Sequence, residues 1–185
     1  MESPTSGDLH YDPKTAIESL RAYLPIYDSY QNQKEALMVA VTAFYLGGAS
    51  AIIATDKPFW RSETRPELTH FVAALIAGAC CLALAFAVWE FELRRSAGEI
   101  YRACNRVLAR WVAETPDRDA IQPIEPSGGL AAIPLVRGFL WPRALCDELM
   151  EVHKSARWYW FPRAITCGVI LLWTAVALWR VYLGS

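Results

Sequence analysis

Three stretches of the chain are nearly free of charge. Each is about as long as a helix must be to cross a hydrocarbon core roughly 30 Å thick. They run from Ala36 to Thr55, from Leu68 to Trp89 and from Phe161 to about Leu183. Charged residues mark their ends. Lys34-Glu35 and Asp56-Lys57 bracket the first, and Glu67 and Glu90 the second. Arg163 and Arg180 sit at the ends of the third, where long stems can carry the charged heads toward the headgroups. The pattern predicts an all-α integral membrane protein with three transmembrane helices.

Before the first span, residues 1–14 show no periodicity and read as a loose tail. Thr15 with Glu18 makes a capping-box pattern, and Ile17, Leu20 and Leu24 share one face of a short amphipathic helix that Pro25 should end or kink. Tyr23, Tyr27 and Tyr30 form an aromatic stripe leading into the span, a candidate interaction face at the interface. Residues 1–35 thus read as a cytoplasmic tail and interfacial helix. Residues 56–67 read as a short external loop, with Phe59 and Trp60 as headgroup anchors.

Residues 90–160 carry a second rhythm. Leu93, Ala97, Ile100, Cys104, Val107 and Trp111 are spaced 4-3-4-3-4, and Leu145, Leu149, Val152, Ala156 and Tyr159 are spaced 4-3-4-3. Such a/d seams predict that the second span continues as a cytoplasmic helix to about Ala113. They also predict a helix returning from about Pro142 into the third span. Residues 114–141 hold four prolines and the Gly128-Gly129 pair, so they form a loop or cap. The two helices are expected to pack as an antiparallel, coiled-coil-like hairpin, or to offer the same seams to another chain.

Charge then sets the orientation. Of the 18 Lys and Arg residues, only Lys57, Arg61, Arg65 and Arg180 fall on one side of the spans. The positive-inside rule therefore places the N-terminus in the cytoplasm and the C-terminus outside. The first 35 residues lack an apolar signal core, so the first span is the expected insertion signal. This charge bias suits a bacterial inner membrane. The five cysteines then lie in the membrane or on the reducing side without CxxC spacing, and read as small buried thiols.

Arg95, Arg102, Arg106 and Arg110 share one face of the first cytoplasmic helix, with Glu99 among them. They are candidates for anionic lipid or a partner, or for a solvated face paired in part through Glu99 with Arg102 and Arg106. Small residues recur every four positions at Ala43, Gly47 and Ala51, and at Ala73, Ala77, Cys81 and Ala85. These rows are candidate helix-packing faces within the chain or between copies, as is the row Ala79, Ala83 and Ala87. His70 is the one histidine in a span, where a local hydrogen bond is its ordinary role. Cys146 and His153, seven residues apart on one helix, lie about 10 Å apart along its axis, too far to act as nucleophile and base. Asp147 and Glu151 read as solvated surface. Phosphate-loop, zincin and nucleophile-elbow motifs are not found, and no cofactor is expected. A net charge of −1 makes nucleic acid a poor partner.

These features fit a non-catalytic membrane subunit or scaffold that contacts lipids, other membrane subunits or copies of itself, and a cytoplasmic protein. A self-assembling channel or membrane-perturbing effector is the alternative. Its layout, a two-span hairpin followed by a cytoplasmic helix, looks like small effectors of bacterial defence and conflict systems. A lipid-acting membrane enzyme is a third class, for which the sequence supplies no convergent acid, base and nucleophile.

Overall fold

A computed structural model of the chain describes residues 12–55, 67–155 and 160–183. The external loop with Phe59 and Trp60, the N-terminal tail to residue 11, and the seam positions Ala156 and Tyr159 lie outside the described residues. The chain is mostly helical. Three helices are long and apolar enough to cross a membrane: α1 (Pro13–Ala54), α2 (Glu67–Ala113) and α5 (Trp160–Tyr182). Between α2 and α5 lie a single-turn helix α3 (Arg118–Ile121), a two-residue strand β1 (Pro123–Ile124), a 3-10 turn (Gly128–Ala132), a second strand β2 (Trp141–Pro142) and helix α4 (Arg143–Ser155).

Helix α1 corrects one expectation and narrows another. It starts at Pro13, where the fixed φ of proline suits a first helical position, and Ala16 N donates to Asp12 O at 3.1 Å. Thr15 is therefore inside the helix and not its cap. Pro25 does not end the helix, which runs 42 residues to Ala54. Proline removes a single i→i−4 bond and one donor, a local cost of about 3 kcal/mol. The packing of Leu20, Leu24 and Tyr27 on either side of Pro25 opposes that cost. Helix α2 ends at Ala113, where the apolar rhythm stops, and α4 starts one residue after Pro142.

The chain divides into two compact units, each discontinuous in sequence. Unit 1 combines Met1–Gln31 with Arg95–Ala156. Its core gathers Ala16 and Leu20 of α1, Ile100, Cys104, Val107 and Trp111 of α2, and Leu145, Leu149 and Val152 of α4. Four residues of the first predicted seam and three of the second thus share one cluster, while Leu93 and Ala97 are buried outside it. Leu20, Ile100, Leu145, Leu149 and Val152 are almost completely buried, each side chain worth about 1.5–3 kcal/mol relative to exposure. Ile121, Leu130, Ile133 and Val136 bring the 114–142 segment onto the same core. The segment is held by the β1–β2 pair (Pro123 opposite Pro142, Ile124 opposite Trp141) and by Trp141 Nε1, which donates to Val136 O at 3.2 Å. The turn before β2 needs Gly138, whose φ of +81° suits glycine.

Unit 2 combines Asn32–Arg94 with Arg157–Ser185. Its apolar contacts form two clusters among α1, α2 and α5. One holds Ala49, Val72, Ala73, Ile76, Ala177 and Val181, and the other Cys80, Ala83, Ala87 and Ile170. Small side chains at these contacts let the helices approach closely.

Candidate functional site

Unit 1 buries two carboxylates. Glu99 of α2 is 1% exposed; it accepts from Arg95 Nε at 2.8 Å, one turn earlier, and lies 2.8 Å from His153 Nδ1 of α4. Glu148 of α4 is 5% exposed and takes both outer arginines of α2, Arg106 Nη1 and Arg110 Nη2, each at 2.9 Å. The four arginines of the predicted stripe therefore all make contacts within unit 1. Arg95 holds Glu99, Arg106 and Arg110 clamp Glu148, and Arg102 Nε donates to Gly98 O at 3.0 Å. Glu99 takes Arg95 and His153, whereas spacing alone pointed to Arg102 and Arg106. A buried carboxylate needs more than one strong donor, and α4 supplies the second from across the unit. Asp147 and Glu151 stay exposed.

The predicted tyrosine stripe is split. Tyr23 and Tyr27 pack their rings on Trp141, with centroids 5.7 and 6.2 Å away, and join the rim of the core. Tyr30 is half-buried. Burial, then the neighbouring Cys104 and Tyr23, pushes the Tyr27 hydroxyl up to about 12. Burial also pushes the Cys104 thiol up to about 12 and, together with the charge of Asp147, the Cys146 thiol up to about 11. Both thiols are neutral near pH 7, which disfavours thiolate chemistry. One surface feature lay outside the sequence reading. Phe139 and Leu140 are 63% and 68% exposed, side by side after the Gly138 turn and before the buried Trp141. Exposed Arg137 and Arg143 flank them. The signal in the sequence was the Gly-Phe-Leu-Trp run inside a loop, where an apolar triplet has no helical face to join.

In unit 2 polar contacts tie α5 to α1. Tyr45 Oη and Thr174 Oγ1 are 2.5 Å apart, Trp173 Nε1 donates to Ser50 Oγ at 2.9 Å, and Arg180 Nη2 donates to Thr55 O at 3.3 Å. His70 Nδ1 lies 3.4 Å from Tyr182 Oη. A band of ion pairs joins the three helices at the other end of the unit: Lys34 with Glu90 at 3.4 Å, Arg94 with Glu35 at 2.7 Å and Arg163 with Glu92 at 2.6 Å.

Of the small-residue rows, Ala73 is buried against α1 and α5, whereas Ala43, Gly47, Ala51, Ala77, Cys81 and Ala85 are exposed. Within Leu68 to Trp89 of α2 the buried small positions are Ala73, Cys80, Ala83 and Ala87, so only part of the third row is inside. Beside them, α1 and α2 line an apolar groove of about 780 Å³. No protein-family model, curated protein or solved structure matches the chain.

Proposed function

We propose that the chain is a three-span membrane protein acting as a non-catalytic subunit or scaffold. Its N-terminus and residues 90–160 lie on the cytoplasmic side of a bacterial inner membrane. In this reading α2 and α4 form an antiparallel cytoplasmic hairpin, completed by the first turns of α1, and unit 1 is a docking module for a cytoplasmic protein. The observation that carries the reading is the exposed Phe139-Leu140 pair. It projects between the buried Val136 and strand β2, which are tied together by Trp141 Nε1 donating to Val136 O, with an exposed arginine at each flank. Apolar side chains presented on a fixed turn and rimmed by arginine have the chemistry of interface anchors. The three apolar helices and the bias of positive charge support the membrane placement.

The test is the mass and composition of the particle extracted into nanodiscs from its native membrane. One or two copies beside a different protein, lost on Phe139→Ser with Leu140→Ser, is the expected result. A homogeneous ring of many copies refutes the scaffold and supports the channel reading. That second reading draws on the exposed small-residue rows: an added Cβ at Gly47 meets nothing within 4 Å, so Gly47→Leu is expected to keep the fold and to act on contacts made outside the chain. A loss of oligomer mass in Gly47→Leu or Ala77→Leu marks those rows as faces between copies.

A further inference from the structure

The groove of unit 2 is apolar along its length and lined by α1 and α2, with Phe44, Leu75, Leu82 and Trp89 as walls and Gly48 and Ala83 among its small positions. The hydroxyl of Tyr45, which also lines it, is engaged by Thr174. The groove's interior therefore fits hydrocarbon.

One end of it has a different chemistry. Glu90 follows Phe86 by four residues and Ala83 by seven, and Lys34 precedes Val41 by seven, so both lie on the groove-lining faces of their helices. Glu90 is 4% exposed, and its nearest cation, Lys34 Nζ, stands 3.4 Å from Oε2. Among the described residues Glu90 Oε2 accepts no hydrogen bond, and the buried Nε of Arg94, one turn further along α2, donates none. The unmet acceptor and the unmet donor thus belong to side chains one helical turn apart, whose Cβ atoms are about 6 Å from each other. Each unmet group of this kind costs about 1–3 kcal/mol, more when charged.

We infer that this site binds a phospholipid with a primary-amine zwitterionic headgroup. One acyl chain fills the groove, the ammonium donates to Glu90 Oε2, and the phosphate accepts from Arg94 Nε. A headgroup carrying both an N–H donor and an anionic oxygen meets both atoms. A choline headgroup has no N–H to donate, and an anionic headgroup without an amine leaves Glu90 with Lys34 alone and its Oε2 without a hydrogen bond. The inference rests on the membrane placement proposed above, and it gives a partner to each of the two unmet atoms.

The test uses the full chain reconstituted in vesicles of equal parts phosphatidylethanolamine, phosphatidylcholine and phosphatidylglycerol, then extracted mildly for native mass spectrometry. The wild type is expected to retain one phosphatidylethanolamine, favoured over phosphatidylcholine by between about two- and tenfold, the range that one net hydrogen bond gives. Gly48→Leu should abolish retention of any lipid with helix content unchanged, because a Cβ at Gly48 meets nothing within 4 Å and the longer side chain enters the groove. Lys34→Met with Glu90→Gln removes both charges together, and should keep a bound lipid but level the headgroup preference. Equal retention of the three lipids by the wild type, undiminished retention in Gly48→Leu, or a second copy of the chain in place of the lipid each overturns the inference. A chain that stays soluble without detergent defeats the membrane placement itself, a separate outcome read before any lipid is measured.

Discussion

The Glu148 clamp makes an asymmetric prediction. Glu148 is 5% exposed, while its partners Arg106 and Arg110 are 52% and 59% exposed. Removing the carboxylate by Glu148→Met returns two arginines to water that already wets them, so the lost interactions amount to about 1 kcal/mol or less. Removing both arginines leaves a buried carboxylate without its donors, which costs about 3–5 kcal/mol. Arg106→Ala alone leaves Arg110 in place and should cost about 1 kcal/mol, well under half of the double change. The readout is amide exchange across Leu145 to Val152 of α4 in nanodiscs, where a loss of 3 kcal/mol speeds exchange through opening of the unit by about a hundredfold. If Glu148→Met speeds exchange as much as Arg106→Ala with Arg110→Ala, burial of the charge is not what sets the cost, and the reasoning fails.

Other expectations follow from burial, titration and backbone geometry. Leu149, 2% exposed in the core, should cost about 2–5 kcal/mol as Leu149→Ala. Leu149→Asp should unpack unit 1 and expose residues 114–141 to protease; equal protease resistance in variant and parent would count against the packing. Cys104 and Cys146 should resist maleimide at pH 7.5 in the folded protein and react on unfolding, a contrast read by mass spectrometry. The Cys104 thiol sits near 12, above its ordinary value of 9.0, so its contribution to stability is complete below pH 9 and lost as pH rises toward 12. A Cys104→Ala variant should show a shallower alkaline loss of stability than the parent; an identical slope would refute that assignment. Gly138→Ala, at a φ of +81°, should cost about 1 kcal/mol, whereas Gly129→Ala, which meets nothing within 4 Å and has no positive φ, should be near neutral in thermal unfolding.

The long elements were legible because each rests on a pattern carried by neighbouring residues. Charge-free runs marked the three apolar helices, and the 3-4 spacing from Leu93 to Trp111 carried α2 as far as Ala113, because one face must stay apolar to reach a core. That α1 runs on past Pro25 is not legible from the proline's local cost, because the core on which Leu20 and Leu24 pack opposes that cost. The pairing of Glu99 with His153, and of Glu148 with Arg106 and Arg110, could not be read from spacing. It depends on which turns of α2 and α4 come level, a tertiary fact. The small-residue rows show the same limit. Period four names a face, but Ala83 and Ala87 lie inside while Ala77 and Cys81 do not, and only the neighbouring α5 decides between them. The two-residue strands β1 and β2 fall below any sequence periodicity.

Both units are assembled from segments far apart in the chain, and that sets an order of events during synthesis. Unit 1 joins Leu20 to Leu149, and unit 2 joins Ala49 to Ala177. At 5–20 residues per second, the apolar face around Leu20 waits on the order of ten seconds before α4 emerges to cover it. During that interval the α1 face and the Ile100 to Trp111 stripe are the surfaces most open to misassociation, and either can be occupied by a chaperone or by the same surfaces of a neighbouring nascent chain. A truncation ending before Arg143 would leave that intermediate permanent, so a nonsense change between α2 and α4 should produce aggregation and not merely loss of the final helix.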